Sequence, residues 1–294
     1  MTPGGGGDGS NPTSLSLVIL AAGRAKRYGG CKPLAPVGTH GEAVIDLVAS
    51  DALDAGFTSI VLVLGPSTGP AIRYHVEHTW PAAVDVHFAE QPVPLGTVNA
   101  VLSASDFVGP TPYGVGNADD IYGRAACALL AQHLRATSDT NALVGYRLAD
   151  AVVGFSPVTR GICKVGADGN LLGVDERRQV TQTPEGRFVA GDGRQPEQLS
   201  GDDRVSMNLW GFTPAFHKTL QSAMEAAVDA SEEAEVLLPE VVAQSLGTSP
   251  FAVLPASGRC IGVTHPGDLS LVQAELNRQV AAGERPARLW TSLR

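Results

Sequence analysis

Residues 18–34 read VILAAGRAKRYGGCKPL. An apolar run over residues 15–20 ends in Ala21-Ala22-Gly23 and gives way to a loop rich in glycine and basic side chains. That order predicts a buried strand followed by a loop at the carboxyl edge of a parallel sheet, where α/β proteins bind ligands. Small residues let backbone N–H groups come close to phosphate oxygens, which makes Leu20, Ala21, Ala22, Gly23 and Arg24 candidate contacts. Arg27 and Lys32 can neutralise charge building on an α-phosphate and on a leaving pyrophosphate. The loop lacks the Gly-Lys-Ser/Thr ending of a P-loop, so it predicts a different phosphate-handling chemistry.

The charge pattern supports an anionic ligand. The 294-residue chain carries 21 basic and 30 acidic residues, a net charge of −9, which argues against non-specific binding to nucleic acid or to an anionic membrane. Between Gly9 and Gly41 there is no acidic residue, yet Arg24, Lys26, Arg27 and Lys32 fall there. The chain is 44% hydrophobic and has no long apolar span of membrane-crossing length. Residues 1–14 are rich in Gly, Pro and Ser and lack a signal peptide's basic and apolar regions, so a disordered tail and a cytoplasmic protein are expected. Cys31, Cys127, Cys163 and Cys260 are too scattered for a metal-ligand pair or a disulfide framework.

Outward from the first loop, strand-like and helix-like segments alternate, predicting a parallel or mostly parallel sheet covered by helices. Strands are expected at residues 59–64, 84–88, 113–116, 142–146, 161–165, 170–174, 205–212, 251–254 and 260–263. Helices are expected at residues 42–55, 124–134, 214 onward, 233–246 with Pro239 near a kink or splitting that segment, and 267–282. Residues 182–203 are polar and Gly-rich and suit a surface hairpin or long loop. No linker divides residues 15–294, which are expected to form a single domain.

Four segments together resemble the nucleotide-sugar pyrophosphorylases, the sugar-1-phosphate nucleotidylyltransferases. Residues 18–34 resemble that family's L-A-A-G-x-G-x-R-x(4)-K-P signature. Residues 91–97 (QPVPLGT) resemble its base-reading Gln and Gly-Thr turn, residues 116–123 (GNADDIYG) its metal-binding turn in an uncharacterised N-A-D-D-x-Y-G branch, and residues 205–212 (VSMNLWGF) its acceptor-binding strand. The resemblance implies a Rossmann-like nucleotidyltransferase fold, with a mixed, mostly parallel central sheet flanked by helices. It implies transfer of NMP from an NTP to a sugar-phosphate-like acceptor with Mg²⁺ as cofactor, and family habit allows a homo-oligomer.

By that resemblance Arg27, Lys32 and Asp119 are catalytic, and Gln91, Gly96 and Thr97 hold the nucleotide. Asp119 is the metal ligand. The second metal contact lies among Thr264, His265 and Asp268, with Asp268 preferred although it also suits a helix N-cap. Asp120 supports the loop or the acceptor. Glu176 would take sugar hydroxyls and Arg177 the acceptor phosphate, with Arg178 a competitor for that role. Asn208 can both donate to and accept from a hydroxyl, and Tyr146 and Gly161 would wall the acceptor pocket. An acceptor phosphate is ionised at neutral pH, so no general base is required and alignment with charge neutralisation suffices. Ala25, Lys26 and Asn99 depart from the family pattern, and Gly114 and Gly116 are expected to loosen the strand before the metal turn. Rival readings are a cyclitol-phosphate or other non-sugar acceptor, and a non-catalytic nucleotide-sugar sensor.

Overall fold

The chain is described here as a computed structural model covering residues 14–23, 30–136, 139–152, 156–231, 234–262, 267 and 269–293. Arg24, Arg27 and Asp268, with Ala25, Lys26, Thr264, His265 and nearly all of the tail over residues 1–14, lie outside the described residues.

Strands β1 (Ser16–Leu20), β2 (Ser59–Leu64), β3 (Val86–Glu90) and β4 (Tyr113–Asn117) form a parallel block in the order β3-β2-β1-β4. Their side chains alternate between two buried clusters: Leu17, Ile19, Ile60 and Leu62 face one, and Val18, Val61 and Val63 the other. A strand buried on both faces reads as an unbroken apolar run, which is why β1 and β2 were the most legible. Helices α1 (Val44–Asp54), α2 (Gly69–Thr79) and α5 (Arg124–Ala136) lie over the first cluster. Helices α3 (Gly96–Leu102), α4 (Ser105–Val108), α7 (Pro214–Ala230) and α8 (Leu238–Ser245) lie over the second. Two short elements, β5 (Asp120–Ile121) and β13 (Ile261–Gly262), form a separate antiparallel pair, and α6 (Leu148–Ala151) and α9 (Leu269–Ala281) complete the helices.

Beyond β4 the sheet turns antiparallel. Strand β11 (Arg204–Phe212) pairs with β4 through Trp210–Phe212 and with β7 (Val158–Val165) through Val205 and Ser206. On its other side it pairs with β6 (Asn141–Arg147), itself parallel to β12 (Phe251–Pro255). The order then continues through β8 (Leu171–Gln182), β9 (Phe188–Ala190) and β10 (Gln198–Leu199). A register shift between Ser206 and Trp210 lets β11 change neighbours, and Asn208 sits in it at φ 59. Bulges of this kind bend a strand and re-aim a side chain.

The α/β mixed sheet matches the sequence reading, as do the Thr213 N-cap, which accepts from Phe216 N at 3.2 Å, and the hairpin strands within residues 182–203. Helix α2 was not read from the sequence, because it is polar on the whole, with only Gly69, Ile72 and Val76 buried. Of the two outcomes expected at Pro239, the segment is broken rather than kinked: Pro239 opens α8, and in the first turn its missing N–H has no intrahelical partner to lose. Gly114 and Gly116 supply room instead of looseness: a Cβ on Gly116 would meet the Tyr122 ring at 2.9 Å. Trp210 and Phe212 are core residues, in an aromatic cluster with Phe216 and Phe251. Among the described residues no helix is long and apolar enough to cross a membrane.

Candidate active site

The carboxyl ends of β1 and β4 lie side by side, and the turns that leave them meet. Ala118 N donates to Leu20 O at 3.2 Å, fixing the Asn-Ala-Asp-Asp turn against the end of the first strand. Lys32 starts a 3₁₀ turn, Lys32–Leu34, with Pro33 in its first positions. That turn is closed by Leu34 N to Cys31 O at 3.0 Å and tied to α1 by Val44 N to Ala35 O at 3.1 Å. The two turns place Lys32 Nζ 3.5 Å from Asp119 Oδ2, with the Asp119 side chain 37% exposed. Side chains separated by most of a hundred residues in sequence can therefore share one ligand.

Two clefts adjoin at this contact. The larger, of about 540 Å³, is lined by Leu20, Ala22, Gly23, Gln91, Gly96 and Thr97, which the sequence had assigned to nucleotide binding. Asn117, Asp119, Pro94, Ala100 and Glu235 complete it. The smaller, of about 150 Å³, is lined by Leu20, Ala21, Gly23, Lys32, Pro33, Ala118 and Asp119. The turn at residues 94–97 is clamped from outside: Val236 N donates to Leu95 O at 3.0 Å and Val98 N to Val236 O at 3.1 Å. Gly96 adopts φ 92, and a Cβ there would lie 2.3 Å from Val236 O, so glycine is required. Glu235 had no recognisable signal, because it belongs to an acidic stretch with no motif spacing.

Asp120 turns away from Asp119 into a more enclosed setting, where Asn117 Nδ2 donates to its Oδ2 at 2.9 Å. Burial, reinforced by the neighbouring Asp119 charge, pushes its pKa up to about 6 against the pull of Asn117, Arg160 and Lys32. Arg160, passed over in the sequence, is the strand cation felt there; burial lowers its pKa, and it donates to Ala151 O from both Nε and Nη2. Its signal was weak, a lone Arg before a glycine on a strand. Among the described residues no group of three or more His, Cys, Asp or Glu could hold a metal ion. A magnesium site needs less from the protein, since it commonly takes one or two carboxylates and completes its shell with phosphate oxygens and water. The accessible Asp119 carboxylate at the junction of the clefts fits that requirement.

The acceptor-side assignments divide. Gly161 pairs with Glu176 on one side and Ser206 on the other, and Asn208 N donates to Ser206 Oγ at 3.2 Å. Gly161, Glu176 and Asn208 thus share one stretch of sheet. Tyr122 links that stretch to the Asn-Ala-Asp-Asp turn: its hydroxyl accepts from Asn117 N at 2.7 Å and donates to Met207 O at 3.1 Å. Arg177 does not join them. It is 1% exposed, and its guanidinium is committed to Asp192 at 2.9 and 3.0 Å and to the Pro196 and Arg194 carbonyls. Its neighbour Arg178 is exposed and pairs with Glu176 at 3.0 Å. Side chains alternate along a strand, so Glu176 and Arg178 share a face and Arg177 takes the other. Tyr146 is also not a pocket wall: it is fully buried, and its hydroxyl donates to Tyr122 O at 2.8 Å.

Among curated proteins none matches this sequence. A Bacillus anthracis protein described as a candidate glucose-1-phosphate thymidylyltransferase, solved in complex with sucrose, is similar in structure. The TM-score is 0.67 at 14% identity over 90% of this chain and 95% of that one, so the likeness is one of fold. The family model described as Nucleotidyl transferase matches residues 16–170, more than half of the chain and the stretch that supplies the lining of both clefts apart from Glu235. The chain belongs to the nucleotidyl transferase family and is a nucleotidyltransferase.

Proposed function

We propose that the protein transfers NMP from an NTP to a sugar-1-phosphate, forming an NDP-sugar and pyrophosphate, with residues 15–294 acting as one catalytic unit. The observation that carries this reading is the 3.5 Å approach of Lys32 Nζ to Asp119 Oδ2 where the two clefts join. A basic and an acidic group at that point can grip one triphosphate, the acid through a divalent cation. The acceptor phosphate attacks the α-phosphorus in line and pyrophosphate leaves. Lys32 neutralises charge developing on the transferred and leaving phosphates, and the sequence assigns Arg27 a share of that work. Backbone groups of Leu20, Ala22 and Gly23 bring the triphosphate close, and Gln91, Gly96 and Thr97 hold the base end. Magnesium, when bound, supplies charge neutralisation at the triphosphate oxygens; Asp119 would hold it, with Asp268 as the proposed second ligand. Glu176 and Asn208, on the stretch next to the metal turn, offer acceptors and a donor to a polyhydroxylated acceptor. The sugar named for the Bacillus protein supports a hexose phosphate acceptor.

The test is pyrophosphate release and NDP-sugar formation with a panel of NTPs against sugar-1-phosphates and cyclitol phosphates. Magnesium-dependent turnover with at least one sugar phosphate is expected, abolished in Asp119→Asn. Turnover only with non-sugar acceptors would sink the sugar reading. Nucleotide binding without turnover anywhere on the panel would replace it with a regulatory role.

A further inference from the structure

We propose that the base end of the larger cleft selects guanine, with Glu235 as the residue that decides it; this rests on the nucleotide occupying that cleft as described above. The argument is an inventory of donors and acceptors. Gln91 is 5% exposed and lines the cleft. Both of its amide protons are used: Nε2 donates to Gly96 O at 3.0 Å and to Asn99 Oδ1 at 2.9 Å. A carbonyl oxygen can only accept, so Gly96 fixes which way round the amide sits. Gln91 Oε1 is left without a partner among the described residues, and it is not sealed off, since the one buried side-chain polar atom without a partner there is Trp210 Nε1. It therefore presents an acceptor to the cleft.

Thr97 and Glu235 complete the set. Thr97 Oγ1 already accepts from Leu238 N at 2.8 Å, which leaves its hydroxyl proton to donate. Glu235 sits on the segment that clamps the turn at residues 94–97, lines the cleft beside Gly96, and has no ion-pair partner among the described residues. An ionised carboxylate only accepts. The side chains at this end thus offer acceptors at Gln91 and Glu235, with one more lone pair on Thr97 Oγ1, and a single donor, the Thr97 hydroxyl. Guanine presents the complement on one edge: the O6 acceptor, the N1–H donor and the 2-amino donor. Uracil and thymine present two acceptors and one donor, cytosine one donor and two acceptors, and adenine one of each. A pyrimidine O2 directed at Glu235 would be repelled. Sites built to hydrogen-bond a group discriminate strongly against analogues that lack it.

ITP is the decisive probe, because it keeps O6 and N1–H and lacks only the 2-amino group. Calorimetric titration of the full chain with GTP, ITP, ATP, CTP, UTP and dTTP as magnesium salts, without acceptor, reads the base directly. GTP is expected to bind tightest and about tenfold tighter than ITP, the equivalent of ~1.4 kcal/mol. In Glu235→Ala the GTP and ITP constants should converge. Equal binding of GTP and ITP by the native protein, preference for a pyrimidine, or a uniform loss for all nucleotides in Glu235→Ala with the GTP-to-ITP ratio kept would each overturn the assignment. The two proposals fail separately: guanine-selective binding with no turnover sinks the catalytic reading alone, and turnover with a pyrimidine NTP sinks the base reading alone.

Discussion

The parallel half of the sheet and the antiparallel arm hold their polar side chains by different means. In the parallel half, Asp119 follows the end of β4 by two residues, and Lys32 begins the 3₁₀ turn that comes twelve residues after β1. Lys32 and Asp119 stay half open, linked by one long ion pair of 3.5 Å. In the arm, Arg177 and Asp192 are almost fully enclosed and joined by two short bonds, with Arg178 N also donating to Asp192 at 3.0 Å. One arrangement leaves charge available to a ligand. The other spends it on holding a loop against a strand. The residue types and local patterns are similar, so an arginine beside a glutamate on a strand is weak evidence for a substrate contact until its facing is known.

The contrast can be broken at either end. The largest effect is expected at the open pair. Lys32→Ala should lower turnover by roughly 10²–10³, the scale for losing one preorganised charge stabiliser. Its melting temperature should move little, since a single 3.5 Å ion pair with one partly exposed partner contributes little. Turnover near the native value, measured as pyrophosphate release, would remove Lys32 from the chemistry.

The enclosed pair should behave in the opposite way. The Arg177 guanidinium, helped by the Arg178 and Arg194 amides, holds the Asp192 carboxyl well below the usual carboxylate range. A depressed folded pKa contributes stability above the unfolded value, about 3.9, and that contribution fades as pH falls through the folded value. Asp192→Asn should therefore melt several degrees lower than the native protein at pH 7, with the gap closing progressively below about pH 4. Its turnover at a temperature where it is folded should stay near native. A pH-independent gap would show that the ion pair is not its source.

The smallest effect sharpens the reassignment of Tyr146. Tyr146→Phe removes the 2.8 Å bond to Tyr122 O and should cost about 1 kcal/mol of stability in denaturant unfolding. Its acceptor KM should not change. A raised acceptor KM with unchanged stability would return Tyr146 to the pocket.

The first loop and the Asn-Ala-Asp-Asp turn offered a reading from sequence because their chemistry is local, whereas the Gln91 turn was reached only through the family resemblance. A strand end, a small residue and a charged side chain follow one another, and a parallel sheet delivers all such ends to one edge. Facing in the arm is not local. β7 and β11 carry register shifts, and Gln179 and Asn208 adopt positive φ. A one-residue slip exchanges the two faces of a strand, so no pattern in the sequence alone assigns Arg177 inward and Arg178 outward.

The sequence by itself determined the α/β class, the acid-free basic loop and the identity of the charged groups at two strand ends, because each depends on neighbours a few residues away. Only the tertiary structure decided that Lys32 meets Asp119, that Arg177 is consumed by Asp192, and that Glu235 reaches the larger cleft from a segment about 140 residues beyond Gln91. Those outcomes depend on which elements pack together and on where bulges turn a strand, and neither is encoded in any short stretch of chain.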